Sequence, residues 1–202
     1  GGHVTQKGSL VAADRLRFDF SQPRPLSPDD LAAVEADVNA QVRGNTDVTT
    51  TIMSPDEAVE HGAMALFGEK YGDEVRVVSM GRKSTGKGQD GQTYSIELCG
   101  GTHMDYTGGI GTFVITSETG IGSGMRRMEA ITGIASEQAI FERFEALDDI
   151  AKKFRVSTAD AGGRVDALSN DLSQARKQVA QLEEQLLQAS VSGGSSNNSA
   201  HS

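Results

Sequence analysis

The amino-acid sequence predicts an α+β fold, a small mixed sheet with flanking helices that is followed by a long helical or coiled-coil extension. Short segments rich in β-branched residues alternate with helix-start signals in the first two thirds of the chain. From residue 125 onward the apolar spacing becomes helical, and the end is dominated by Ser, Asn and Gly. We therefore expect a domain over 1–133, a helical linker or coiled coil over 134–190 and a disordered tail over 191–202.

The strands of this fold are predicted from alternation and from β-branched residues. A first strand is expected over 10–20, where the alternating apolar residues are Leu10, Leu16, Phe18 and Phe20. The glycine-rich, basic segment 81–91 is expected to be a loop or hairpin tip. Further strands are expected where β-branched residues cluster, over 48–53, 74–80, 93–98 and 112–117.

Two helix starts carry the same local signal. In each, a serine suited to the N-cap is followed by proline at the first helical position and by an acidic residue three positions after the cap. The first helix is expected to stop near Gly44 and the second, shorter one at Gly62. The cap and acidic pairs are Ser27 with Asp30 and Ser54 with Glu57.

The last third of the chain has helical periodicity. A helix is expected over 125–154, and Gly162-Gly163 is expected to break or bend the chain. Apolar residues then recur at alternating intervals of three and four, as in a coiled coil of three heptads. This seam predicts self-association or pairing with another helix, and a single amphipathic helix lying on its own domain is the alternative. Its members are Val165, Leu168, Leu172, Ala175, Val179, Leu182 and Leu186.

Composition narrows the function. The formal net charge of −9 argues against general binding of polyanions, because phosphate binding needs an excess of Lys and Arg. The segment 76–127 reverses this balance and leaves local RNA contact open beside the alternative of a solvated surface. No apolar run is long enough to span a membrane, and no leader opens the sequence, so a cytoplasmic location is expected. The basic residues of 76–127 are Arg76, Arg82, Lys83, Lys87, Arg126 and Arg127.

The motif that points to chemistry is Cys99-Gly-Gly-Thr-His103, directly after a predicted strand. Cys99 is the single cysteine of the chain, so it makes no internal disulfide. A thiolate and an imidazole four residues apart, with two glycines between them, are able to reach one zinc ion. A buried structural cysteine near a turn is the alternative for a motif this short.

Several segments together resemble the editing domain of alanyl-tRNA synthetases. The C-x-x-x-H segment is similar to half of that family's zinc-binding editing site. The resemblance implies a fold that is shared with free-standing alanyl-editing proteins and with the editing domain of threonyl-tRNA synthetase. The similarity runs from about Gly1 to Gly133 and keeps the family's order of motifs. The further matching segments are 3–11, 14–21, 62–72 and 124–130.

The resemblance implies hydrolysis of serine or glycine wrongly esterified to the tRNA for alanine, because a pocket for a methyl side chain discriminates poorly against such small neighbours. It further implies Cys99 and His103 as zinc ligands and tRNA for alanine as the partner. Gln6 and Thr102 are the implied catalytic residues, Gln6 through its amide. Gly100 and Gly101 are expected to bring backbone donors to the substrate, and Arg126 and Arg127 to contact RNA.

Some features depart from the family pattern. The family's other two zinc ligands form an H-x-x-x-H pair upstream of the first matching segment, so only half of the site is expected in this chain. Gln22 stands where a histidine is usual, and Gly109 where a glutamate is usual. His3 and His61 are weak candidates for substitute ligands, since no pattern positions them.

The functional alternatives follow from this incompleteness. The chain carries one face of an editing hydrolase, or it is a catalytically incomplete module for tRNA binding and oligomerisation. A free-standing editing factor is disfavoured, because the heptad helix resembles the linker that follows the editing domain in the full synthetase. The segment 81–88 fits G-x-x-x-x-G-K, but it lacks the Ser or Thr that binds magnesium, so no ATP site is expected.

Overall fold

The structure is a computed structural model that describes residues 4–63, 72–88 and 91–193. The chain divides into two compact units, Gly1–Ile140 and Phe141–Ser202. Most of the matching segment 62–72 lies outside the described residues. In chain order the elements are β1 (Gln6–Val11), β2 (Leu16–Ser21), α1 (Pro28–Gly44), β3 (Thr49–Met53), α2 (Pro55–Glu60), β4 (Val75–Lys87), β5 (Thr93–Leu98), β6 (Val114–Gly122), β7 (Met125–Ile131), α3 (Gly133–Phe154) and α4 (Ala161–Gly193). Over the described residues, two antiparallel sheets in place of the one mixed sheet expected, together with four helices, confirm the predicted α+β class.

The first sheet has the strand order β1-β2-β7-β6, and each neighbouring pair is antiparallel. The single strand predicted over 10–20 is wrong, because Leu10 belongs to β1 and the chain reverses before β2 begins. The helix predicted from residue 125 is also wrong over Met125–Ile131, which is β7. This segment forms a central strand because both β2 and β6 pair with it, and neither partner is visible in its local spacing.

The second sheet has the order β3-β4-β5 and is again antiparallel. Its inner face packs with α2 to form a small core of Ala58, Val75, Val77 and Ile96. The loop predicted over 81–91 is wrong for its first part, since β4 continues to Lys87. The glycines permit this extension, because a Cβ at Gly86 would lie 2.3 Å from the Thr93 carbonyl oxygen.

Local capping chemistry forms α1 and α2, as predicted. The Ser27 hydroxyl accepts a hydrogen bond from the Asp30 amide at 3.1 Å, and the Asp30 carboxylate accepts one from the Ser27 amide at 3.1 Å. The same reciprocal pair joins Ser54 and Glu57. These bonds satisfy amide groups that have no partner inside the helix, and they lower the pKa of both carboxyl groups.

The helical part bends earlier than predicted. α3 ends at Phe154, Arg155 takes a left-handed φ of 55°, and a 3₁₀ turn over Thr158–Asp160 leads into α4. The predicted break at Gly162-Gly163 is wrong, because both glycines lie in the first turn of α4. The Ser157 hydroxyl accepts a hydrogen bond from the Asp160 amide at 3.2 Å and so starts the helical segment just before them.

The heptad seam lies entirely on α4. Its seven side chains are all exposed, from 45% at Val165 to 70% at Leu186 among the large ones. α4 continues to Gly193, past the predicted start of the tail, and 194–202 lie outside the described residues. Within the described part of the chain, every helix is too short or too polar to cross a lipid bilayer.

Candidate functional site

The Cys99–His103 turn begins where β5 ends and is held by the neighbouring strand. The Cys99 amide donates to the Arg76 carbonyl oxygen at 3.1 Å, which extends the β4–β5 ladder by one step. The guanidinium of Arg76 in turn donates from Nη1 to the Gly101 carbonyl oxygen. Arg76 therefore anchors the start and the middle of the turn to β4, a role that no sequence pattern indicated.

Cys99 and His103 approach each other around Gly101. The Cys99 Sγ atom lies 3.6 Å, and the His103 Cε1 atom 4.0 Å, from the point that a Cβ of Gly101 would occupy. Both side chains line one cavity of about 300 Å³. His103 Nδ1 is buried and has no hydrogen-bond partner among the described residues. A buried ring nitrogen without a partner is a group that a metal ion or water would satisfy.

The rest of this cavity is mainly apolar. Its wall includes Tyr94, whose hydroxyl donates a hydrogen bond to Asp37 Oδ2 at 2.8 Å. Burial, reinforced by that hydrogen bond and the Asp37 charge, raises the pKa of Tyr94 to about 12. Tyr94 is therefore protonated at neutral pH and does not serve as a base. The apolar part of the wall is formed by Val38, Val42, Val78, Met80 and Ile110.

The chain after His103 is fixed to the end of α1 by the buried Thr107, which is 2% exposed. Its hydroxyl donates to the Gln41 carbonyl oxygen at 2.8 Å and accepts from the Thr46 amide at 3.0 Å. The next residue, Gly108, donates its amide to Asn45 Oδ1 at 3.2 Å, and a Cβ there would lie only 2.3 Å from that oxygen. Sequence reasoning missed Thr107, because its partners lie more than 60 residues away.

The implied catalytic residues lie apart in the fold. Thr102, like Gly100 and Gly101, is exposed on the turn beside Cys99. Gln6 lies on β1 in the other sheet, and its side-chain amide donates to Ser9 Oγ at 3.2 Å. Gln6 is not part of the cavity wall that Cys99 and His103 share. Thr102 shares the turn with the two candidate ligands but is likewise not part of that cavity wall, so the catalytic roles of Thr102 and Gln6 both stay predictions.

Arg126 and Arg127 are both paired with carboxylates. Arg127 binds Asp19 in a two-pronged ion pair with N–O distances of 2.8 and 2.9 Å. Arg126 binds Glu118 in the same manner, with Nη2 donating to Oε2 at 2.5 Å. Hydrogen bonding from Arg127 lowers the pKa of Asp19, and the carboxylates raise the pKa of both arginines. These charges are neutralised within the sheet, which disfavours them as phosphate contacts.

The structure shows the surroundings of the residues that depart from the family pattern. Gly109 is exposed, and a Cβ there would lie 2.5 Å from the terminal methyl of Met104, so a glutamate would displace that flexible end. The Gln22 amide donates to the Gly124 carbonyl oxygen at 2.9 Å. His61 Nδ1 lies 2.8 Å from the Glu57 carbonyl oxygen at the end of α2, and His3 is outside the described residues.

Few side chains near Cys99 are able to bind a metal ion. Over 4–63, 72–88 and 91–193, no group of three or more His, Cys, Asp or Glu side chains is arranged to hold a metal ion. A thiolate and an imidazole are ligands that zinc prefers, and structural zinc sites take four ligands. The described residues therefore fit half of such a site.

Comparison with known proteins gives a consistent result. Residues 75–129, which include the Cys99–His103 turn, match the threonyl and alanyl tRNA synthetase second additional domain. Three similar proteins are alanine–tRNA ligases, and the chain spans about a fifth of the length of each. That of Rhizorhabdus wittichii is 49% identical over 96% of this chain and 21% of its own length. The ligase of Gluconobacter oxydans is 55% identical over 92% of this chain and 21% of its own length. The ligase of Cereibacter sphaeroides is 52% identical over 96% of this chain and 22% of its own length.

Proposed function

On the premise that the chain belongs to the alanyl-tRNA synthetase family, we propose that it supplies one face of an editing site. That site hydrolyses serine or glycine esterified to the tRNA for alanine. The observation that supports this most directly is that Cys99 and His103 lie on either side of Gly101 and line the same mainly apolar cavity. The turn lies inside the matched domain, and a second sieve of this kind removes amino acids that a methyl-sized pocket fails to reject.

Cys99 and His103 are the proposed zinc ligands of this face. Their S and N donors suit zinc, and the buried, unpartnered His103 Nδ1 among the described residues shows that this ring has a bonding capacity still unused. A bound zinc ion would polarise the ester carbonyl or the attacking water. Two ligands hold zinc far more weakly than four, so the complete site needs the family's H-x-x-x-H pair as well.

In the proposed reaction, water adds to the ester carbonyl carbon, the bond to the ribose oxygen breaks, and that oxygen takes the proton. The exposed turn Gly100–Thr102 offers backbone N–H groups beside the two ligands for the charge that develops on the carbonyl oxygen. Arg76 holds the turn in place through the Gly101 carbonyl. Tyr94 stays protonated and forms part of the cavity wall.

A second candidate function is that of a catalytically incomplete module which binds tRNA and associates through its helices. The absence of a third ligand among the described residues favours this alternative for the chain on its own. An experiment that supplies the missing zinc ligands distinguishes the two candidate functions.

The test compares serine release from mischarged tRNA by this chain and by a longer version that carries the upstream H-x-x-x-H helix. We expect the longer version to be active with one zinc per chain, and the shorter one to be inactive with partial zinc occupancy after mild chelation. In the longer version, Cys99→Ala and His103→Ala should each reduce the rate at least about 100-fold, because each removes a metal ligand.

The matched control is His61→Ala, which removes a half-buried histidine at the end of α2 and should leave the rate unchanged. Full activity of the shorter chain, or retained activity of Cys99→Ala, would reject the zinc-site assignment. An inactive longer version that still binds tRNA would favour the binding module instead.

A further inference from the structure

We propose that the chain contacts the sugar–phosphate backbone of RNA through its basic hairpin, defined as Arg82, Lys83 and Lys87 on the β4–β5 hairpin, and through the polar cavity at the hairpin base. The choice of RNA as the polyanion rests on the proposed function. The position of the surface is inferred from the distribution of charges in the structure. The basic hairpin takes the place of Arg126 and Arg127, which the sequence analysis expected to contact RNA.

Among the described residues of the segment 76–127, four cations have no carboxylate within ion-pair distance, and three of the four form the basic hairpin. Arg126 and Arg127 are bound to Glu118 and Asp19, and Arg76 is engaged by the Gly101 carbonyl oxygen. Within the described ranges, the three cations of the basic hairpin have no carboxylate within ion-pair distance. Since the chain has a net charge of −9, a local excess of this kind is where phosphate attraction is concentrated.

The hydrogen-bond partner of Arg82 and the ring beside Lys83 are neutral. Arg82 Nη1 donates to Gln92 Oε1 at 3.3 Å, and the Lys83 ammonium lies 5.8 Å from the centre of the Tyr94 ring. Both basic side chains belong to exposed residues. Such contacts orient a cation and leave its charge uncompensated, so a phosphate would find donors already extended from the sheet.

The hairpin is a firm support for these side chains. The Lys83 amide donates to the Gln92 carbonyl oxygen at 2.8 Å, and the Gly86 amide to the Gly91 carbonyl oxygen at 2.7 Å. At the base, the Gln41 side chain on α1 accepts from the Arg82 amide at 3.1 Å. The strand is therefore tied both to its partner and to a helix, which limits the entropy lost on binding.

A polar cavity of about 320 Å³ lies at the base of the hairpin, and Arg82 is part of its wall. Thr49, Ser79, Thr93 and Asp47 also line it, and the hydroxyl oxygens of Thr49 and Ser79 are hydrogen-bonded to each other at 2.8 Å. A carboxylate repels phosphate but accepts a hydrogen bond from a ribose 2′-hydroxyl, the group that distinguishes RNA from DNA. The juxtaposition of Arg82 and Asp47 fits one nucleotide unit, with its phosphate on the arginine and its ribose in the cavity.

The experiment measures binding of uncharged tRNA for alanine to the whole chain by fluorescence anisotropy over a series of salt concentrations. We expect the triple variant Arg82→Gln, Lys83→Gln, Lys87→Gln to lose affinity roughly tenfold or more and to flatten the salt dependence by about two to three in log–log slope. The matched control Lys152→Gln, Lys153→Gln, Lys177→Gln removes three charges from the helical unit and should stay within about twofold of the parent. Thermal unfolding verifies that each variant is folded.

A second arm compares the tRNA with a DNA copy of the same sequence. Asp47→Ala should reduce the preference for RNA, and an unchanged preference would overturn the cavity part of the proposal. Absence of binding by the parent chain, or an unchanged salt slope in the hairpin variant, would overturn the whole. The binding assay involves no hydrolysis, so the two proposals are tested separately. If the hairpin variant binds tRNA more weakly but the longer version releases no serine, only the editing function is rejected. If the longer version releases serine but the hairpin variant binds tRNA as the parent does, only this RNA-binding surface is rejected.

Discussion

The turn after β5 and the helix α4 are stabilised in opposite ways. The segment 99–111 has little regular structure, yet Arg76, Thr107 and Asn45 connect it to β4 and to the end of α1. α4 is regular over 33 residues, but its apolar seam remains exposed. The difference shows that the geometry of the candidate site depends on long-range polar contacts, while helical order arises locally and leaves an apolar surface exposed among the described residues.

The largest effect is expected from removing the Thr107 hydroxyl. Thr107→Val keeps the side-chain shape but leaves the Thr46 amide and the Gln41 carbonyl without their buried partner. Unpaired groups of this kind cost about 1–3 kcal/mol each, so we expect the free energy of unfolding to fall by roughly 2–4 kcal/mol. Urea denaturation measures this change.

The matched control is Thr102→Val, which makes the same substitution on an exposed residue of the same segment. It should change the free energy of unfolding by less than about 0.5 kcal/mol. Equal effects of the two substitutions would mean that the Thr107 bonds do not fix the segment.

The seam on α4 should drive association. Two leucines buried per helix contribute about 1.5–3 kcal/mol each, so Leu172→Glu with Leu182→Glu should weaken self-association at least about 100-fold. Sedimentation velocity of the whole chain at micromolar concentration measures the change. The control Ser173→Glu with Ala180→Glu adds the same charges one position away from the seam and should leave the association intact.

A monomeric parent chain under these conditions would contradict self-association. The apolar seam would then have to pack against a helix of another protein or against its own domain. Packing against its own domain is the alternative to a coiled coil for a seam of only three heptads.

The smallest effect is expected at the Asp19–Arg127 ion pair, and it depends on pH. Hydrogen bonding from Arg127 lowers the pKa of Asp19, so the carboxylate stabilises the fold above the ordinary aspartate pKa of about 3.9. This contribution is lost as the pH falls through the lowered pKa. Arg127→Gln should therefore reduce the urea midpoint at pH 7 and have progressively less effect below about pH 4.

The exposed pair of Arg15 and Asp14 provides the control, since Arg15→Gln should change the midpoint little at any pH. A destabilisation by Arg127→Gln that is constant from pH 7 to pH 2 would show that packing of the arginine, and not its charge, matters.

Some parts of the fold were predictable and others were not, for identifiable reasons. The starts of α1 and α2 were predicted correctly, because Ser27 with Asp30 and Ser54 with Glu57 lie within one helical turn. The segment 125–131 was predicted wrongly as a helix, because its strand conformation depends on pairing with β2, more than 100 residues away. The bend near residue 160 was placed too late, since a left-handed φ at Arg155 has no signal in residue type.

The sequence by itself determined the family, the α+β class and the candidate ligands Cys99 and His103, because motifs and capping residues act over a few positions. The tertiary structure decided which charges are available. Arg126, Arg127 and the three cations of the basic hairpin look alike in the sequence, but Asp19 and Glu118 reach only the first two. It also decided how the turn after β5 is held, since Arg76 and Thr107 act through backbone groups of residues that are 25 or more positions away. Ion pairs and buried hydrogen bonds depend on distances in space, which the order of residues does not contain.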